Sequence, residues 1–210
     1  MSKKNKNAPK LVTPPLEDQP LRLDLGCGQT PKAGFEGVDA YAEEAKYCFD
    51  LLTFPWPFTD SSVDEVYCAH FIEHIPMEVR DGKDLFFAFF DELYRVLKPR
   101  GKAEFIWPNL KSVRAFQDLT HRRFIPTETL LYLHKPWREA NKLTHGLYDV
   151  AADFDFSVNP GLTPDVRERL ELDSLHLRTP EVQARTNARM QEGWDLIADW
   201  QAILVSRKTM

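Results

Sequence analysis

Two glycines and an acid near the start of the chain have the types and spacing of a nucleoside-binding site. Gly26 and Gly28 end an apolar segment, Leu-Arg-Leu-Asp-Leu-Gly-Cys-Gly at residues 21–28, and Asp39 follows Gly28 by eleven residues. Glycines let a backbone approach a ligand closely, and a carboxylate at the tip of the next strand can accept from both hydroxyls of a ribose. We therefore expect a nucleoside-containing ligand across these strand ends.

The connection after Gly28 is too short for a dinucleotide site. A third glycine is missing, because Gln29-Thr-Pro-Lys follows Gly28, and only the seven residues 29–35 lead into the next strand. This leaves no room for a helix whose N-terminus could bind a pyrophosphate. The pattern therefore favours a ligand without phosphates and disfavours a nicotinamide oxidoreductase.

Strands and helices are predicted to alternate around these residues. Hydrophobic patterning predicts strands at residues 21–25, 35–38, 46–49, 63–69, 102–107, 153–158 and 200–205, with the last strand buried on both faces. It predicts helices at residues 82–97, 109–119 (capped by Asn109), 126–134 and 179–191. The alternation indicates an α/β fold, a doubly wound and mostly parallel sheet with helices on both faces.

Length, charge and composition restrict the class of protein further. The 210 residues suit a tail at 1–19 followed by one domain at 20–210, and the net charge of −5 argues against a wholly basic nucleic-acid coat. We expect no membrane span, because no apolar run approaches about 20 residues, and no secretory signal at the N-terminus. Cys27, Cys48 and Cys68 lack metal-ligand spacing, so buried reduced thiols, a cytoplasmic location and no metal are expected.

Several further segments carry a family resemblance. They are Phe-Asp-Leu-Leu at 49–52, Glu-His-Ile at 73–75 and Arg-Val-Leu-Lys-Pro-Arg-Gly at 95–101. Together with the glycine segment and Asp39, they resemble the class I S-adenosylmethionine-dependent methyltransferases, specifically a compact group with a shortened first crossover. The resemblance covers residues 21–109 and implies a Rossmann-like, seven-stranded sheet with an antiparallel last strand. It also implies S-adenosylmethionine as cofactor and methyl transfer as the reaction.

The resemblance also implies which residues contact the cofactor. Gly26 and Gly28 would pass under its methionine part, and Asp39 would bind the ribose. Asp50 would accept from the adenine amino group, while Leu51 packs on the ring.

Four other residues complete this expected cofactor site. The backbone of Ala69 and His70 would contact the amino acid moiety, and Asp24 would support the glycine turn. We hypothesise that Lys32 pairs with the cofactor carboxylate in place of the missing helix end; a solvated loop lysine is the equal alternative.

His70 and His74 are the candidate catalytic residues. At positions i and i+4 they are expected on one side of a helical turn, near the reactive end of the cofactor. His74 could act as a general base, and the alternative is a structural histidine before Pro76. The same spacing could suit a metal, but the segment lacks a metalloprotease pattern, so no metal is predicted.

The acceptor is expected under residues 110–148, a segment that would cover the cofactor. Seven Lys and Arg residues against three acids give this segment a charge of +4. Arg122 and Arg123 would draw an anionic acceptor, although an ordinary solvated helix face explains the same charges.

The acceptor class is only partly restricted. Enzymes that methylate exocyclic base amines resemble one another in an Asn/Asp-Pro-Pro-aromatic motif, where this chain has Ala69-His-Phe-Ile. Cytosine C5 enzymes carry Pro-Cys, which is absent from the sequence. An oxygen or nitrogen of a small molecule is therefore favoured. A nucleic-acid or nucleotide methyltransferase and a non-catalytic S-adenosylmethionine-binding partner subunit remain open, as does the oligomeric state.

Overall fold

Seven strands form one mixed sheet in the computed structural model, which describes residues 19–162, 194–195 and 197–209. The strand order is β3-β2-β1-β4-β7-β9-β8, and a separate hairpin pairs β5 with β6. The strands are β1 (Arg22–Leu25), β2 (Glu36–Asp39), β3 (Tyr47–Cys48), β4 (Val63–Ala69), β5 (Val79–Arg80), β6 (Lys83–Asp84), β7 (Leu97–Pro108), β8 (Phe154–Leu162) and β9 (Ile197–Ser206). β1, β2, β3, β4 and β7 are parallel, whereas β9 runs antiparallel to β7 and β8. This arrangement confirms the predicted fold class.

The two faces of the sheet differ in polarity. Leu23, Val66 and Ala103 lie side by side on one face and are completely buried. Asp24, Tyr67 and Glu104 lie side by side on the other, and there Tyr67 and Glu104 stay half-buried. Alternation along each strand produces this division.

Helix α1 (Leu85–Val96) covers the apolar face. Its first turn is capped by Asp84, whose carboxylate accepts from the backbone N–H of Phe86 at 2.8 Å. Phe89 and Phe90 then pack on Phe105 of β7, with ring centroids 6.3 and 5.2 Å away. The helix predicted at residues 82–97 thus packs its apolar side chains into the core.

The connections near the predicted ligand site contain no α-helix anywhere in residues 22–69. The β1–β2 loop instead lies directly on β2. A Cβ on Gly37 would come within 2.7 Å of the Cys27 sulfur and 3.0 Å of Pro31. Gly37 therefore allows the shortened crossover to pack closely.

Three expected elements differ in the structure. Asn109 does not cap a helix at 109–119: its Oδ1 accepts from the Trp200 indole at 3.1 Å, and only the short helix α2 (Arg114–Gln117) forms. The segment after Pro126 is a 3-10 helix (Thr127–Leu133), followed by α3 (Lys135–Ala140). β9 buries only one face completely, because its other face continues the half-exposed polar face of the sheet.

The cysteine prediction was partly wrong. Cys68 is buried, Cys27 is intermediate and Cys48 is exposed, and all three are free thiols. The exposure of Cys48 follows from its position on the edge strand β3. The tail at 1–18 and the helix predicted at 179–191 lie outside the described residues. In the part of the chain that the structure describes, no helix combines the length and apolar character needed to cross a membrane.

Candidate functional site

A cleft of about 330 Å³ opens where β1 and β4 end. Four predicted cofactor residues line it, namely Asp24, Gly26, Lys32 and Ala69. Parallel strands present their carboxyl ends at one edge of a sheet, which is where α/β folds bind ligands. The volume lies in the range of small-molecule sites.

Asp24 is a buried carboxylate among the residues that line this cleft. Its side chain is 4 % exposed, and its Oδ2 accepts from the backbone N–H of Lys32 at 2.7 Å. Burial raises the pKa of the Asp24 carboxyl, and the hydrogen bond from Lys32 opposes that shift. The contact spans the β1–β2 loop, and the support that Asp24 would give to a cofactor-binding turn stays a prediction.

The two glycines bend the backbone beside Asp24. Gly26 and Gly28 have φ angles of 69° and 56°, in the left-handed region that favours glycine. A Cβ on Gly26 would meet the Phe71 ring at 2.8 Å, whereas a Cβ on Gly28 would find nothing within 4 Å. The protein thus leaves open space next to Gly28.

Asp39 ties the tip of β2 to the glycine bend. Its Oδ2 accepts from the Gly28 N–H at 3.1 Å, and its Oδ1 accepts from the N–H groups of Tyr41 and Ala42 at 2.8 and 3.0 Å. A carboxylate has about four acceptor positions. One position, on Oδ2, therefore remains for a ligand hydroxyl, fewer than the two that the sequence suggested.

Asp50 lies next to Asp39 along the same edge, because Cys48 pairs with Asp39 in register. Asp50 is exposed, and its Oδ1 accepts from the Leu52 N–H at 2.8 Å in a turn. The Leu51 side chain is 3 % exposed and belongs to the core. A ring bound here would therefore meet little of the Leu51 side chain, unlike the packing expected from the sequence.

Lys32 lines the cleft, but its ammonium already has partners. It donates to Glu104 at 3.1 Å and lies 3.5 Å from the Tyr67 ring centroid. Lys32 is thus paired with Glu104 in this structure, and its pairing with the cofactor carboxylate stays a prediction.

His70 and His74 do not lie on one helical turn as predicted. His70 has a φ of 55° and precedes the helix, which is a 3-10 helix of three residues (Ile72–His74). The His70 Nδ1 lies 3.3 Å from Glu73 Oε1. This hydrogen bond is the main cause that raises the pKa of the His70 imidazole. His70 thus pairs with Glu73 and favours the charged form.

Two residues to which the sequence analysis assigned no role lie beside His74. Glu73 is 2 % exposed, and its Oε2 has no hydrogen-bond partner. The His121 ring lies 4.8 Å from the His74 ring, edge to face. Since 47 residues separate His121 from His74, no local spacing pattern could have joined them.

The predicted arginine pair divides into two different environments. The Arg123 guanidinium donates to both oxygens of Asp84, at 2.9 and 3.0 Å, and to the carbonyl groups of Ile75 and Pro76. These contacts tie Arg123 to the fold, and its role in binding an anionic acceptor stays a prediction. Arg122 is exposed and stays a candidate.

A second cavity, of about 320 Å³, lies between α1 and the segment 110–148. Its walls are mostly aromatic and include Phe86, Phe87, Phe124 and Tyr148, with the Arg123–Asp84 ion pair at one side. Such walls suit an apolar group.

The sheet is Rossmann-like, and the cleft lies where two of its parallel strands end. A family model described as a methyltransferase domain matches residues 36–105. A search of curated proteins by sequence finds no match.

Two solved methyltransferase structures share this fold. A S-adenosylmethionine-dependent methyltransferase from Archaeoglobus fulgidus is 19% identical, covers 89% of this chain and 86% of its own, and superposes with a TM-score of 0.56. A phosphoethanolamine N-methyltransferase 2 from Haemonchus contortus, bound to phosphomonomethylethanolamine and S-adenosylhomocysteine, is 16% identical with a TM-score of 0.52, and the match covers 93% of this chain and 51% of that one. At these identities the structural matches show the fold. The family model adds a methyltransferase domain over residues 36–105, about a third of the chain.

A matched pair of glycine variants tests whether the cofactor occupies the open space at Gly28. Gly28→Ala and Gly82→Ala both put a Cβ at a left-handed position with nothing within 4 Å, so each should lower the free energy of unfolding by about 1–2 kcal/mol. Only Gly28→Ala places a methyl group where the cofactor is expected. We predict that it weakens S-adenosylhomocysteine binding in calorimetry at least about tenfold, a change of about 1.4 kcal/mol, while Gly82→Ala binds as the wild type. Equal affinities for the two variants would contradict this location of the cofactor.

Proposed function

We propose that this enzyme transfers the methyl group of S-adenosylmethionine to an oxygen or nitrogen of a small-molecule acceptor. The observation that carries the proposal is the cleft at the ends of β1 and β4, which joins the Gly26–Gly28 bend to Asp24 and lies next to Asp39. The bound cofactor supplies an electrophilic methyl group. The residues of the chain hold the cofactor and the acceptor in line and exclude water.

The cleft fits this cofactor by its donors and acceptors. Asp39 keeps one acceptor position for a ribose hydroxyl after its three backbone hydrogen bonds. Asp50 is exposed at the next strand end and can accept from an adenine amino group. The backbone of Ala69 and His70 borders the same edge, although the His70 N–H is already donated to the Ile106 carbonyl at 2.8 Å, so the carbonyl groups are the available contacts.

Internal pairing of basic residues supports a small acceptor over a nucleic acid. In the segment 110–148, Arg114 pairs with Asp199, Arg123 with Asp84, and Arg138 is buried against the carbonyl groups of residues 132, 150 and 152. These contacts reduce the +4 charge that the segment could present to a polyanion. We propose that the segment covers the acceptor, with the exposed Arg122 as the candidate contact for an acidic group.

His74 is the better candidate of the two predicted catalytic histidines. His70 is held towards its charged form by Glu73, whereas His74 Nδ1 lies 3.1 Å from the Thr120 hydroxyl. We also propose one domain at 20–210 and a cytoplasmic location, which the three free thiols support.

The ribose contact is tested by Asp39→Asn. The variant amide can present its oxygen either to Tyr41 and Ala42 or to Gly28, but not to both. We expect the affinity for S-adenosylhomocysteine, measured by calorimetry, to fall about tenfold or more, because a charge-assisted hydrogen bond contributes about 1.5–3 kcal/mol. Asp155→Asn, at a carboxylate on β8 that pairs with Arg207, is the matched control. The proposed contact fails if the two variants bind equally well.

The acceptor class is tested with methyl-labelled S-adenosylmethionine and cell lysate fractionated by size. We expect the label in the small-metabolite fraction, and Asp39→Asn should reduce it. Label in polynucleotide would establish the nucleic-acid alternative. Saturable binding of S-adenosylhomocysteine without transfer to any fraction would favour a non-catalytic partner subunit.

A further inference from the structure

We propose that Glu73, His74 and His121 form a binding site for a divalent transition-metal cation of the zinc type. The metal-ligand atoms of these three side chains lie within 4.8 Å of one another. Two imidazoles and one carboxylate are the usual ligands of Zn²⁺ sites that keep an open coordination position, and Co²⁺, Mn²⁺ and Fe²⁺ accept the same set. We call these residues the Glu-His-His cluster.

The hydrogen bonds fix the protonation of His121. Its Nδ1 lies 2.8 Å from the backbone carbonyl of Ala115, and a carbonyl only accepts. Nδ1 therefore carries the proton, and in the neutral ring Nε2 keeps a free lone pair. A backbone carbonyl in this position is the common outer partner of histidines that bind metals.

A relay of two hydrogen bonds fixes His74 in the same way. The Thr120 hydroxyl donates to the Asp118 carboxylate at 2.7 Å, which uses its single proton. His74 must then be the donor in the hydrogen bond of 3.1 Å between its Nδ1 and Thr120 Oγ1. The Nε2 of His74 is consequently the unprotonated nitrogen, as metal binding requires.

The carboxylate of the cluster has an unsatisfied oxygen. Glu73 is 2 % exposed, and its Oε1 contacts His70 while its Oε2 lacks any partner. A buried carboxylate oxygen without a partner loses the hydration that it has in water and gains no hydrogen bond in exchange. A cation bound by Oε2 and two imidazole nitrogens would supply the missing partner.

The backbone holds the three ligands together across the fold. The Glu73 carbonyl accepts from the N–H groups of Arg122 and Arg123 at 2.8 and 2.9 Å, which fixes the segment after His121 against the 3-10 helix. Zinc–ligand bonds of about 2.0–2.2 Å allow donors at most about 4.4 Å apart. The ligand atoms lie within 4.8 Å of one another in this structure, so the side chains must move slightly closer together to bind an ion.

Three protein ligands leave coordination positions for water or for a substrate atom. The cluster follows β4 at the edge of the sheet where the proposed function puts methyl transfer. A cation here would bind the acceptor oxygen or nitrogen and lower the pKa of its proton, which leaves to water. This role rests on the proposed function, but the metal site itself does not. With an ion bound, His74 acts as a ligand and not as a base.

The test is titration of the full chain, stripped of metal by a chelator, with Co²⁺ and then with Zn²⁺ as competitor. We expect one equivalent of Co²⁺ to bind with visible ligand-field bands and without the charge-transfer band of a cysteine thiolate, and Zn²⁺ to displace it. Glu73→Gln and His121→Ala should each weaken Co²⁺ binding at least about tenfold. His145→Ala, at an exposed histidine outside the cluster, should leave it unchanged.

Thr120→Val separates loss of the metal site from loss of folding. Thr120 is exposed, so the variant should fold, and it would affect the ion only through the hydrogen bond with His74. We expect it to weaken Co²⁺ binding with an unchanged circular dichroism spectrum. No stoichiometric Co²⁺ binding, equal binding by wild type and Glu73→Gln, or a thiolate charge-transfer band would each overturn the proposal. S-adenosylhomocysteine should still bind the metal-free protein, so loss of that binding alone would count against the proposed function and not against the metal site.

Discussion

Two carboxylates replace the helix that a longer first crossover would contain. Asp24 accepts from the Lys32 N–H and Asp39 from the Gly28 N–H, so both anchors of the β1–β2 loop come from strand ends. A loop of this length closes over β2 only because Gly37 leaves room for Cys27 and Pro31. The cleft, its open space at Gly28 and the position of Asp39 all depend on this anchoring.

This constraint affects how charge is distributed near the cleft. With no helix N-terminus beneath the cleft, the positive charge nearest to it is Lys32 among the cleft-lining residues. Glu104 and the Tyr67 ring hold that ammonium on the polar face of the sheet. The region beyond β4 is organised differently. The buried Glu73 side chain contacts His70. The backbone carbonyl of Glu73 accepts from the N–H groups of Arg122 and Arg123, which fixes the segment after His121 beside it.

The sequence predicted those features that depend on local patterns. The strands, the core-facing stripe of α1 and the gathering of Asp24, Gly26, Lys32 and Ala69 follow from alternation, periodicity and the order of the motifs. Local patterns do not reveal where a side chain binds a partner that is distant in sequence. The Asn109 side chain accepts a hydrogen bond from Trp200, 91 residues away, and the Arg123 guanidinium donates to Asp84, 39 residues away. The Glu-His-His cluster could not be predicted for the same reason. Tertiary packing brings His121 next to His74 and sets the contact between His74 and the Thr120 hydroxyl.

The central claim is that a phosphate-free adenosine lies across the ends of β1 and β2, above the glycine bend. A crystal structure of the complex with S-adenosylhomocysteine tests it most directly. The account predicts a ribose hydroxyl within hydrogen-bond distance of Asp39 Oδ2 and the sulfur beside Gly26 and Gly28. An adenosine bound in the aromatic cavity beneath residues 110–148, with Asp39 making no ligand contact, would contradict it.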